Sequence, residues 1–318
     1  MMSQTPKVSV VVLSYNHEKY IRQALDSILA QKTDFAFEVL VGDDCSQDGT
    51  RLILEEYAER YPDIMRPFLR EKNLGPTRNL YETLKEARGE YLASCEGDDF
   101  WTDENKLQRQ SDFLDAHPEF VGCVHPVGVV GEDGAPLKTK KLQWVSSSAN
   151  RVFTLRSFRG IMVPGHGASM MKRNLFDIPD FDGELICRAD RNIADRTIAL
   201  LWLERGDFYM MDGEMACYRK VDHGSNLTSR LYKTSRDRVS YDYEYTLTLE
   251  RYALSRGLDA GFDYHKRELF VKAVLFAVKQ RDREYLSTAG RILKKSGHPL
   301  RYILGFIPML ISLIRRSV

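Results

Sequence analysis

The chain has 318 residues, enough for one large domain or two modest ones. Its composition is ordinary for a soluble globular protein, and a formal net charge of +1 carries none of the basic excess expected of a nucleic-acid-binding protein. Five dispersed cysteines without a CxxC pair fit reduced cytosolic thiols better than a disulfide framework or a zinc site. The first residues lead directly into a predicted strand, so we expect no signal segment.

Apolar segments alternate with helical patterns in the first part of the chain. The predicted strands are residues 8–13, 37–42, 65–70 and 91–95. The predicted helices are residues 18–30, 52–58, 78–88 and 103–117. Strands that are apolar throughout are typical of a parallel sheet that is covered on both faces. The alternation therefore predicts the α/β class, with an open, mostly parallel sheet and helices on both faces.

A polar cluster follows three of these strands. The clusters are Ser14-Tyr15-Asn16, Asp43-Asp44 and Glu96-Gly97-Asp98-Asp99. Because ligands of open α/β sheets bind beyond the carboxyl ends of the strands, we expect a ligand site at this edge. No GxGxxG motif follows the first strand and no GxxxxGK[ST] motif occurs, which argues against a dinucleotide-binding unit and a P-loop.

The third cluster places three carboxylates within four residues. Like charges this close repel one another, and their ionisation at a strand end is costly unless a cation neutralises them. Mg²⁺ and Mn²⁺ prefer carboxylate oxygens and commonly keep open positions for substrate phosphates. Glu96, Asp98 and Asp99 therefore predict a metal–diphosphate site, and a solvated turn is the alternative.

These motifs also carry a resemblance to a known family. They are Val8–Asn16 (VSVVVLSYN), Asp43–Thr50 (DDCSQDGT), Asn73–Gly75 with Arg78 and Asn79, and Glu96–Asp99 (EGDD). In order and spacing they resemble the family 2 glycosyltransferases of GT-A fold, over about the first 125 residues. A looser resemblance to the acceptor half of that family is carried by Ile193–Asp195, the helix to Gly206, and Tyr218-Arg219.

The resemblance implies a donor-nucleotide site. Its residues are Ser14, Tyr15, Asn16, Asp43, Asp44, Asn73, Gly75, Arg78, Glu96, Gly97 and Asp98. Within this set, Asp44 matches the carboxylate that hydrogen-bonds the uracil imide, and Tyr15 matches the aromatic ring that stacks on the base. Asp often forms turns and helix caps, so a structural role is the alternative for Asp43. For Tyr15 the alternative is ordinary packing.

The resemblance also implies Mn²⁺ or Mg²⁺ as a cofactor. Glu96-Gly97-Asp98 occupies the DXD position, with Glu in place of the first Asp, and the expected metal ligand is Asp98 or Asp99. The family often has a histidine that closes over the diphosphate or the metal, and His223 is its counterpart here. A metal at this position would stabilise the charge that develops on the departing diphosphate. The alternative for His223 is a surface residue.

A general base is expected on the acceptor side. The acceptor hydroxyl is a poor nucleophile, and a carboxylate beyond the anomeric carbon takes its proton in a direct displacement that inverts this centre. The resemblance assigns this role to Asp195, in a predicted helix over residues 189–205. Asp190 on the same helix is the rival base.

Three further residues are candidates near the substrates. His166 lies in the Gly-rich segment Pro164–Ser169, which fits a substrate-lining loop and a structural turn equally well. Trp101 either walls the donor pocket or anchors the helix that follows it. Arg219 belongs to the Tyr-Arg pair of the acceptor half.

The motifs and elements predict a catalytic domain over residues 1–222, with a donor half at 1–125 and an acceptor half at 126–222. Residues 138–150 are polar and Ser-rich, which predicts a mobile loop near the acceptor. Residues 223–318 are predicted to form a helical C-terminal extension.

The last part of this extension combines apolar and basic residues. No acidic residue occurs after Glu284, and residues 302–314 (YILGFIPMLISLI) are almost wholly apolar. A bilayer span needs about 20 apolar residues, whereas this run is shorter and contains Pro308. We therefore expect a membrane-surface segment over residues 300–316, with a core or dimer helix as the alternative. Such a segment implies a cytoplasmic protein held peripherally on the inner face of the cell membrane.

The expected activity is that of an inverting, metal-dependent glycosyltransferase. It would move a hexosyl or N-acetylhexosaminyl group from a nucleotide sugar, with UDP as the expected carrier, to a glycan or polyprenol-linked acceptor in surface polysaccharide synthesis. One alternative is a sugar-1-phosphate nucleotidyltransferase, which is expected to carry a Gly-rich basic loop where Ser14–Glu18 stands. The other is a non-catalytic nucleotide-sugar-binding protein, which would have no need of Asp195. No nucleic-acid partner is expected, and the sequence does not indicate an oligomeric state.

Overall fold

The computed structural model describes residues 5–137, 152–221, 238–281 and 283–317, which form two compact units. The first unit comprises Met1–Thr154 and Val163–Asp222, and the second comprises Leu155–Met162 and His223–Val318. The functional division into a catalytic domain and an extension stays a prediction, and the compact units group residues 155–162 with the second part of the chain.

The first unit is built on strands that form two sheets. In chain order, the described strands are β1 (Val8–Ser14), β2 (Phe37–Asp43), β3 (Met65–Leu69), β4 (Tyr91–Glu96), β5 (Phe100–Trp101), β6 (Phe120–Val124), β7 (Gly128–Val130), β8 (Val152–Phe153), β9 (Met171–Arg173), β10 (Asp207–Met210) and β11 (Ala216–Arg219). The large sheet has the order β3-β2-β1-β4-β9-β6-β10-β8, and β5, β11 and β7 form a small second sheet.

Most neighbours in the large sheet run parallel. β1 pairs in parallel with β2 and β4, β2 pairs in parallel with β3, and β6 pairs in parallel with β10. β9 runs antiparallel between β4 and β6, and β8 pairs antiparallel with β10. The expected open and mostly parallel sheet is confirmed, while the two antiparallel strands are features that the sequence did not indicate.

The helices complete both units. In chain order, the described helices are α1 (Ile21–Leu29), α2 (Thr50–Arg60), α3 (Pro76–Leu84), α4 (Lys106–Ala116), α5 (Leu155–Phe158), α6 (Leu185–Ala189), α7 (Asp195–Leu203), α8 (Arg238–Ser255), α9 (Phe262–Gln280), α10 (Arg283–Lys295), α11 (Pro299–Leu304) and α12 (Phe306–Ser317). α5 and α8 to α12 belong to the second unit.

The core of the first unit forms where apolar faces of β1 and α1 meet. Val10 and Val12 join Ile21 and Leu25 in one buried cluster. Val11 is also buried, and it lies on the opposite face because side chains alternate along a strand. Full burial of each such side chain contributes about 1.5–3 kcal/mol, which explains why this segment is apolar throughout.

The predicted helix over residues 189–205 is wrong in its first part. α6 ends at Ala189 and α7 begins at Asp195. Asp190 Oδ1 accepts hydrogen bonds from the Asn192 N–H at 2.7 Å and the Ile193 N–H at 2.8 Å, so its side chain closes a turn that separates the two helices.

The second unit has its own apolar core. Each of its last five described helices contributes a buried residue, namely Tyr243, Leu269, Ile292, Tyr302 and Met309. None of the helices within the described ranges is both long and apolar enough to cross a bilayer. The predicted loop over residues 138–150 lies outside the described residues.

Candidate active site

Polar side chains tie together the loops that follow β1 and β2. The Asn16 N–H donates to Ser46 Oγ at 2.9 Å, and Asn16 Oδ1 accepts from the Gln47 N–H at 2.8 Å. Asp43 is fully buried and accepts from the backbone N–H and the hydroxyl of Ser46. Asn16 has a φ of 58°, a conformation that Asn tolerates better than most residues. Asn16 and Asp43 therefore shape this edge of the sheet, and their binding of a donor stays a prediction.

Asp44 is bound to the turn that precedes α3. Its Oδ1 accepts from the Leu74 N–H at 2.7 Å, and its Oδ2 accepts from the Gly75 N–H at 3.0 Å. The Asn73 amide donates to the Asp44 carbonyl oxygen at 3.1 Å. Burial raises the pKa of Asp44, and the two N–H donors oppose that shift. The structure thus brings together Asp44, Asn73 and Gly75, and each carboxylate oxygen keeps a lone pair for a further donor.

The other predicted donor residues differ in exposure. Tyr15 is 38% exposed, so a ligand can reach its ring, and its stacking on the base stays a prediction. Ser14 is buried, and its Oγ has no hydrogen-bond partner among the described residues. Arg78 is half exposed on α3 and pairs with Glu82 one turn later. The role of Arg78 in donor binding stays a prediction. Arg78 would have to leave this ion pair in order to bind the donor.

The carboxylate cluster lies where β4 ends. Asp99 is buried; its Oδ1 accepts from the Arg219 N–H at 2.8 Å, and its Oδ2 has no hydrogen-bond partner in the described ranges. Burial, followed by the charges of Asp98 and Glu96, raises the pKa of Asp99 well above its usual value. Burial, with the charges of Asp98 and Asp195, raises the pKa of Glu96 to about 8. Both carboxyl groups therefore favour the neutral form until a positive charge compensates them.

Asp195 lies close enough to Glu96 for their charges to interact. Both side chains keep solvent-exposed surface, yet the protein atoms packed around each of them raise its pKa by burial. The structure therefore brings the candidate base to the carboxylate cluster, while the carboxylate of Asp190 closes the turn before α7.

The residues present fit a hard divalent cation in their chemistry. Hard cations prefer oxygen ligands, and the cluster supplies carboxyl groups whose ionised form a cation would stabilise, including Asp99 with its unpartnered Oδ2. Across the part of the chain that the structure describes, no three His, Cys, Asp or Glu side chains converge as ligands of a bound ion would. His223, the remaining predicted ligand, lies outside the described residues.

His166 is buried next to the cluster. Its Nδ1 accepts from the Ala168 N–H at 3.2 Å, at the start of a 3₁₀ helix over Gly167–Ser169, and lies 3.6 Å from Asp99 Oδ2. Its ring centroid lies 4.6 Å from that of Tyr218. Burial lowers the pKa of His166 to about 4, so the ring is neutral near pH 7. His166 thus caps a turn and also borders the cluster.

Arg219 is buried and holds the cluster in shape. Its Nε donates to the Asp98 carbonyl oxygen at 2.8 Å, and its Nη1 donates to the carbonyl oxygens of Gly131 and Glu132. Its Nη2 donates to Gln23 Oε1 at 2.6 Å. The guanidinium is therefore occupied by protein groups, so Arg219 supports the cluster from within the fold.

Trp101 packs in the core of the first unit. It is buried in the main apolar cluster, and Nζ of the buried Lys106 lies 4.2 Å from its ring centroid. Lys106 Nζ also donates to Gln110 Oε1 at 2.6 Å. This position favours the anchoring role over a wall of the donor pocket. The burial of Lys106 could not be predicted from the sequence, because lysine is seldom buried and no sequence pattern indicates it here.

A cavity of about 460 Å³ opens beside Arg219. Its lining residues are Lys19, Tyr20, Gln23, Glu132, Asp133 and Arg219. Apart from Arg219, the sequence did not single out these residues, since the lining comes from the start of α1, the two residues before it and a turn that is far away in the chain.

Comparison with known proteins identifies the family. The model of glycosyl transferase family 2 matches residues 9–178, which is more than half of the chain. The protein belongs to glycosyl transferase family 2, and the predicted family is confirmed.

Curated relatives match this chain over part of their length. An uncharacterised protein of Mycobacterium tuberculosis is 55% identical over 128 residues, 40% of this chain and 37% of that protein. The putative teichuronic acid biosynthesis glycosyltransferase TuaG of Bacillus subtilis is 34% identical over 140 residues, 43% of this chain and 53% of that protein. The poly(ribitol-phosphate) beta-N-acetylglucosaminyltransferase TarS of Staphylococcus aureus is 37% identical over 133 residues, 41% of this chain and 22% of that protein. The matches thus span well under two thirds of each relative.

A solved structure shares the fold over most of the chain. Staphylococcus aureus TarS 1–349 in complex with UDP-GlcNAc has a TM-score of 0.63 at 19% identity, and the match covers 92% of this chain and 81% of that chain. At this identity the likeness concerns the fold, and the predicted fold class is confirmed.

Proposed function

We propose that this chain is an inverting, metal-dependent glycosyltransferase. It moves a hexosyl or N-acetylhexosaminyl group from a nucleotide sugar to a hydroxyl of a glycan or lipid-linked acceptor in surface polysaccharide synthesis. The observation that carries the proposal is the closeness of Asp195 to Glu96, whose pKa its charge helps to raise, because a candidate base then lies near a candidate diphosphate site. Family membership supports glycosyl transfer over nucleotidyl transfer.

The donor is a UDP-sugar in this proposal. Exposure of Tyr15 and the fixed position of Asp44 beside the turn at Gly75 support recognition of a base at this edge. Solved TarS structures in complex with UDP-GlcNAc and with UDP support the same nucleotide by analogy.

Asp98 and Asp99 would hold Mn²⁺ or Mg²⁺, with Glu96 close to it. The ion, when bound, supplies positive charge to the leaving diphosphate. The chain contributes the shape of the site, since Arg219 fixes the Asp98 carbonyl oxygen and the Asp99 carboxylate. His223 remains a predicted contributor whose residue lies outside the described ranges.

Asp195 acts as the base in the proposed reaction. Its carboxylate takes the proton of the acceptor hydroxyl while that oxygen bonds to the anomeric carbon and the bond from this carbon to the diphosphate oxygen breaks. Burial raises the pKa of Asp195, which makes it a stronger base than an aspartate with the ordinary pKa. A binding protein without catalysis would have no use for a carboxylate at this position.

The reaction is proposed to take place at the cytoplasmic face of the membrane, with a polyprenol-linked or growing glycan acceptor. The printed functions of TuaG and TarS, both in cell-surface polymers, support this setting by analogy.

Asp195→Asn tests the proposal against its rival. We expect UDP release from the productive donor to fall on the order of 100- to 10,000-fold, since proton transfer by a positioned base contributes about that much. The rise in melting temperature on adding UDP with Mn²⁺ should be unchanged. Asp190→Asn is the matched control, because its amide oxygen can still accept from the turn, and it should keep full activity.

Two results would contradict the proposal. Full turnover in Asp195→Asn would remove this residue as the base. A screen of UDP-, GDP- and dTDP-sugars, with and without Mn²⁺, in which none raises the melting temperature would remove nucleotide-sugar binding itself.

A further inference from the structure

α11 and α12 carry an apolar face that no other described residue covers. It consists of Leu300, Ile303, Leu304, Ile307 and Ile311, which are between 46 and 79% exposed. We refer to these five residues as the C-terminal apolar face. Contiguous exposed apolar surface of this kind marks an interaction site more often than chance exposure.

The two helices present this face as one continuous surface. The Gly305 N–H donates to the Arg301 carbonyl oxygen at 3.1 Å, and the Met309 N–H donates to the Gly305 carbonyl oxygen at 3.1 Å. Both hydrogen bonds join residues four positions apart, as in an α-helix, so the helix continues through Gly305. Residues spaced by three, four and seven positions therefore fall on one side of the combined helix.

The opposite side of the same helix is already packed. Tyr302 and Met309 are buried in the core of the second unit, and Phe306 and Leu310 pack against that core. The helix is thus apolar on two sides, although the second unit needs only one. Exposure of apolar side chains to water is unfavourable. We therefore expect the exposed side to contact another molecule.

The last part of the sequence carries charges of a single sign, although Glu244 of α8 pairs with two of its basic residues, Arg291 and Lys295. After Glu284 the chain has no acidic residue and six basic ones, namely Arg291, Lys294, Lys295, Arg301, Arg315 and Arg316. Lys294 and Arg301 are exposed. An apolar helix face accompanied by basic residues suits a surface that offers both hydrocarbon and negative charge.

We propose that the C-terminal apolar face docks on the surface of a membrane that contains anionic lipids. The combined helix would lie in the interface plane, with its apolar side chains among the acyl chains and its basic residues at the headgroups. A second copy of the chain fits less well, because a two-fold interface would place the basic residues of both copies together. That the membrane holds the acceptor rests on the proposed function, whereas the docking itself does not.

Vesicle flotation of the full chain tests the proposal. We expect binding to vesicles of phosphatidylcholine with phosphatidylglycerol, and binding at least tenfold weaker to phosphatidylcholine alone, since each basic residue near an anionic surface contributes on the order of fivefold. The double variant Leu304→Asp/Ile307→Asp should lose at least tenfold in binding to the anionic vesicles. Lys294→Glu/Arg301→Glu should lose the preference for phosphatidylglycerol.

Leu254→Asp is the matched control, because Leu254 is a 69% exposed leucine on α8 outside this face. It should float like the wild-type chain. The melting-temperature shift with UDP and Mn²⁺ should persist in all variants, so that loss of flotation is separated from loss of folding or of donor binding.

Two outcomes would overturn the docking proposal. One is wild-type flotation that is absent, or that the Leu304→Asp/Ile307→Asp variant leaves unchanged. The other is a doubled mass by light scattering that the same variant abolishes in the absence of flotation, which would assign the face to a second copy. A chain that floats as expected but binds no nucleotide sugar would leave the docking in place and contradict only the proposed function.

Discussion

The side chain of Arg219 links segments that are far apart in the sequence. Arg219→Met would leave the carbonyl oxygens of Asp98 and Glu132, which lie in part-buried hydrogen bonds, without these donors. Because a polar group that loses its partner costs about 1–3 kcal/mol when it is buried and less when solvent reaches it, we expect the free energy of unfolding to fall by about 1–3 kcal/mol. The turn at Asp98 should also loosen and weaken UDP binding in the presence of Mn²⁺. Denaturant unfolding and calorimetric titration measure the two effects.

Arg22→Met is the matched control for this change. Arg22 forms a bidentate pair with Glu56, but both side chains are about half exposed, and such surface pairs contribute little. It should alter neither unfolding nor UDP binding appreciably. A similar loss of stability in both variants would contradict the supporting role of Arg219.

Lys106 predicts a pH dependence of stability. Burial lowers its pKa to about 8 from an ordinary value of 10.5. Between these values the unfolded chain holds the proton while the folded chain has released it, so stability rises as the pH increases through this window. Lys106→Met removes that contribution, and melting temperatures measured across the window should rise less than in the wild-type chain.

Lys32→Met is the control for the pH series, because Lys32 is exposed and pairs with Glu104 at the surface. Its pH profile should follow that of the wild-type chain. Identical slopes for Lys106→Met and the wild-type chain would show that this lysine does not titrate in the window.

The carboxylates of the site could be predicted from the sequence because they follow apolar strands directly. The positions of Asp44 and Asp98 follow from the rule that ligands bind beyond the carboxyl ends of the strands in an open α/β sheet. Their supports could not be predicted in the same way. Asp44 is held by backbone N–H groups of another loop, and Asp98 by Arg219 from a strand more than a hundred positions later.

At the scale of elements, the turn after β4 lies tightly against the loop after β1. A Cβ added to Gly97 would lie 2.6 Å from His17 Nδ1 and 3.1 Å from the Leu13 carbonyl oxygen. Gly97→Ala must therefore displace the His17 ring or shift the turn, and we expect about tenfold weaker binding of UDP with Mn²⁺, equivalent to about 1.4 kcal/mol. Calorimetric titration of the folded variant measures the change.

Gly290→Ala is the control, because a Cβ at this helical glycine of α10 would meet nothing within 4 Å. It should leave UDP binding unchanged and stabilise the chain slightly, since alanine favours helix over glycine. Unaltered UDP binding in Gly97→Ala would mean that the close contact with His17 has no bearing on the site.

Prediction of the elements succeeded where local patterns decide the structure. β1, β2 and β4 are apolar runs, and α1 has a clear apolar face. It failed between α6 and α7, because the break is made by hydrogen bonds from two backbone N–H groups to Asp190 and not by glycine or proline. The three-residue strand β9 is too short for periodicity to reveal its direction.

At the scale of the whole molecule, the net charge conceals an uneven distribution. Residues 285–318 carry six positive charges and no negative ones, so the remainder of the chain has a net charge of −5. The overall value of +1 is therefore a poor guide to what the chain attracts locally. Because exposed charges are screened over about 10 Å at 0.1 M salt, association through the basic segment should weaken as the salt concentration rises.

The position of β9 has a consequence for how the chain is made. Residues 171–173 fill the place between β4 and β6, although both of those strands leave the ribosome earlier. When a nascent chain has been synthesised through β6, all the predicted donor motifs are present. Its sheet still lacks β9, so β4 and β6 each have an unpaired edge. Closing that gap joins distant parts of the sequence, so folding of the sheet should be slow and cooperative. The sheet of the predicted donor half is therefore completed by a strand at residues 171–173, so we do not expect residues 1–125 to form this sheet alone.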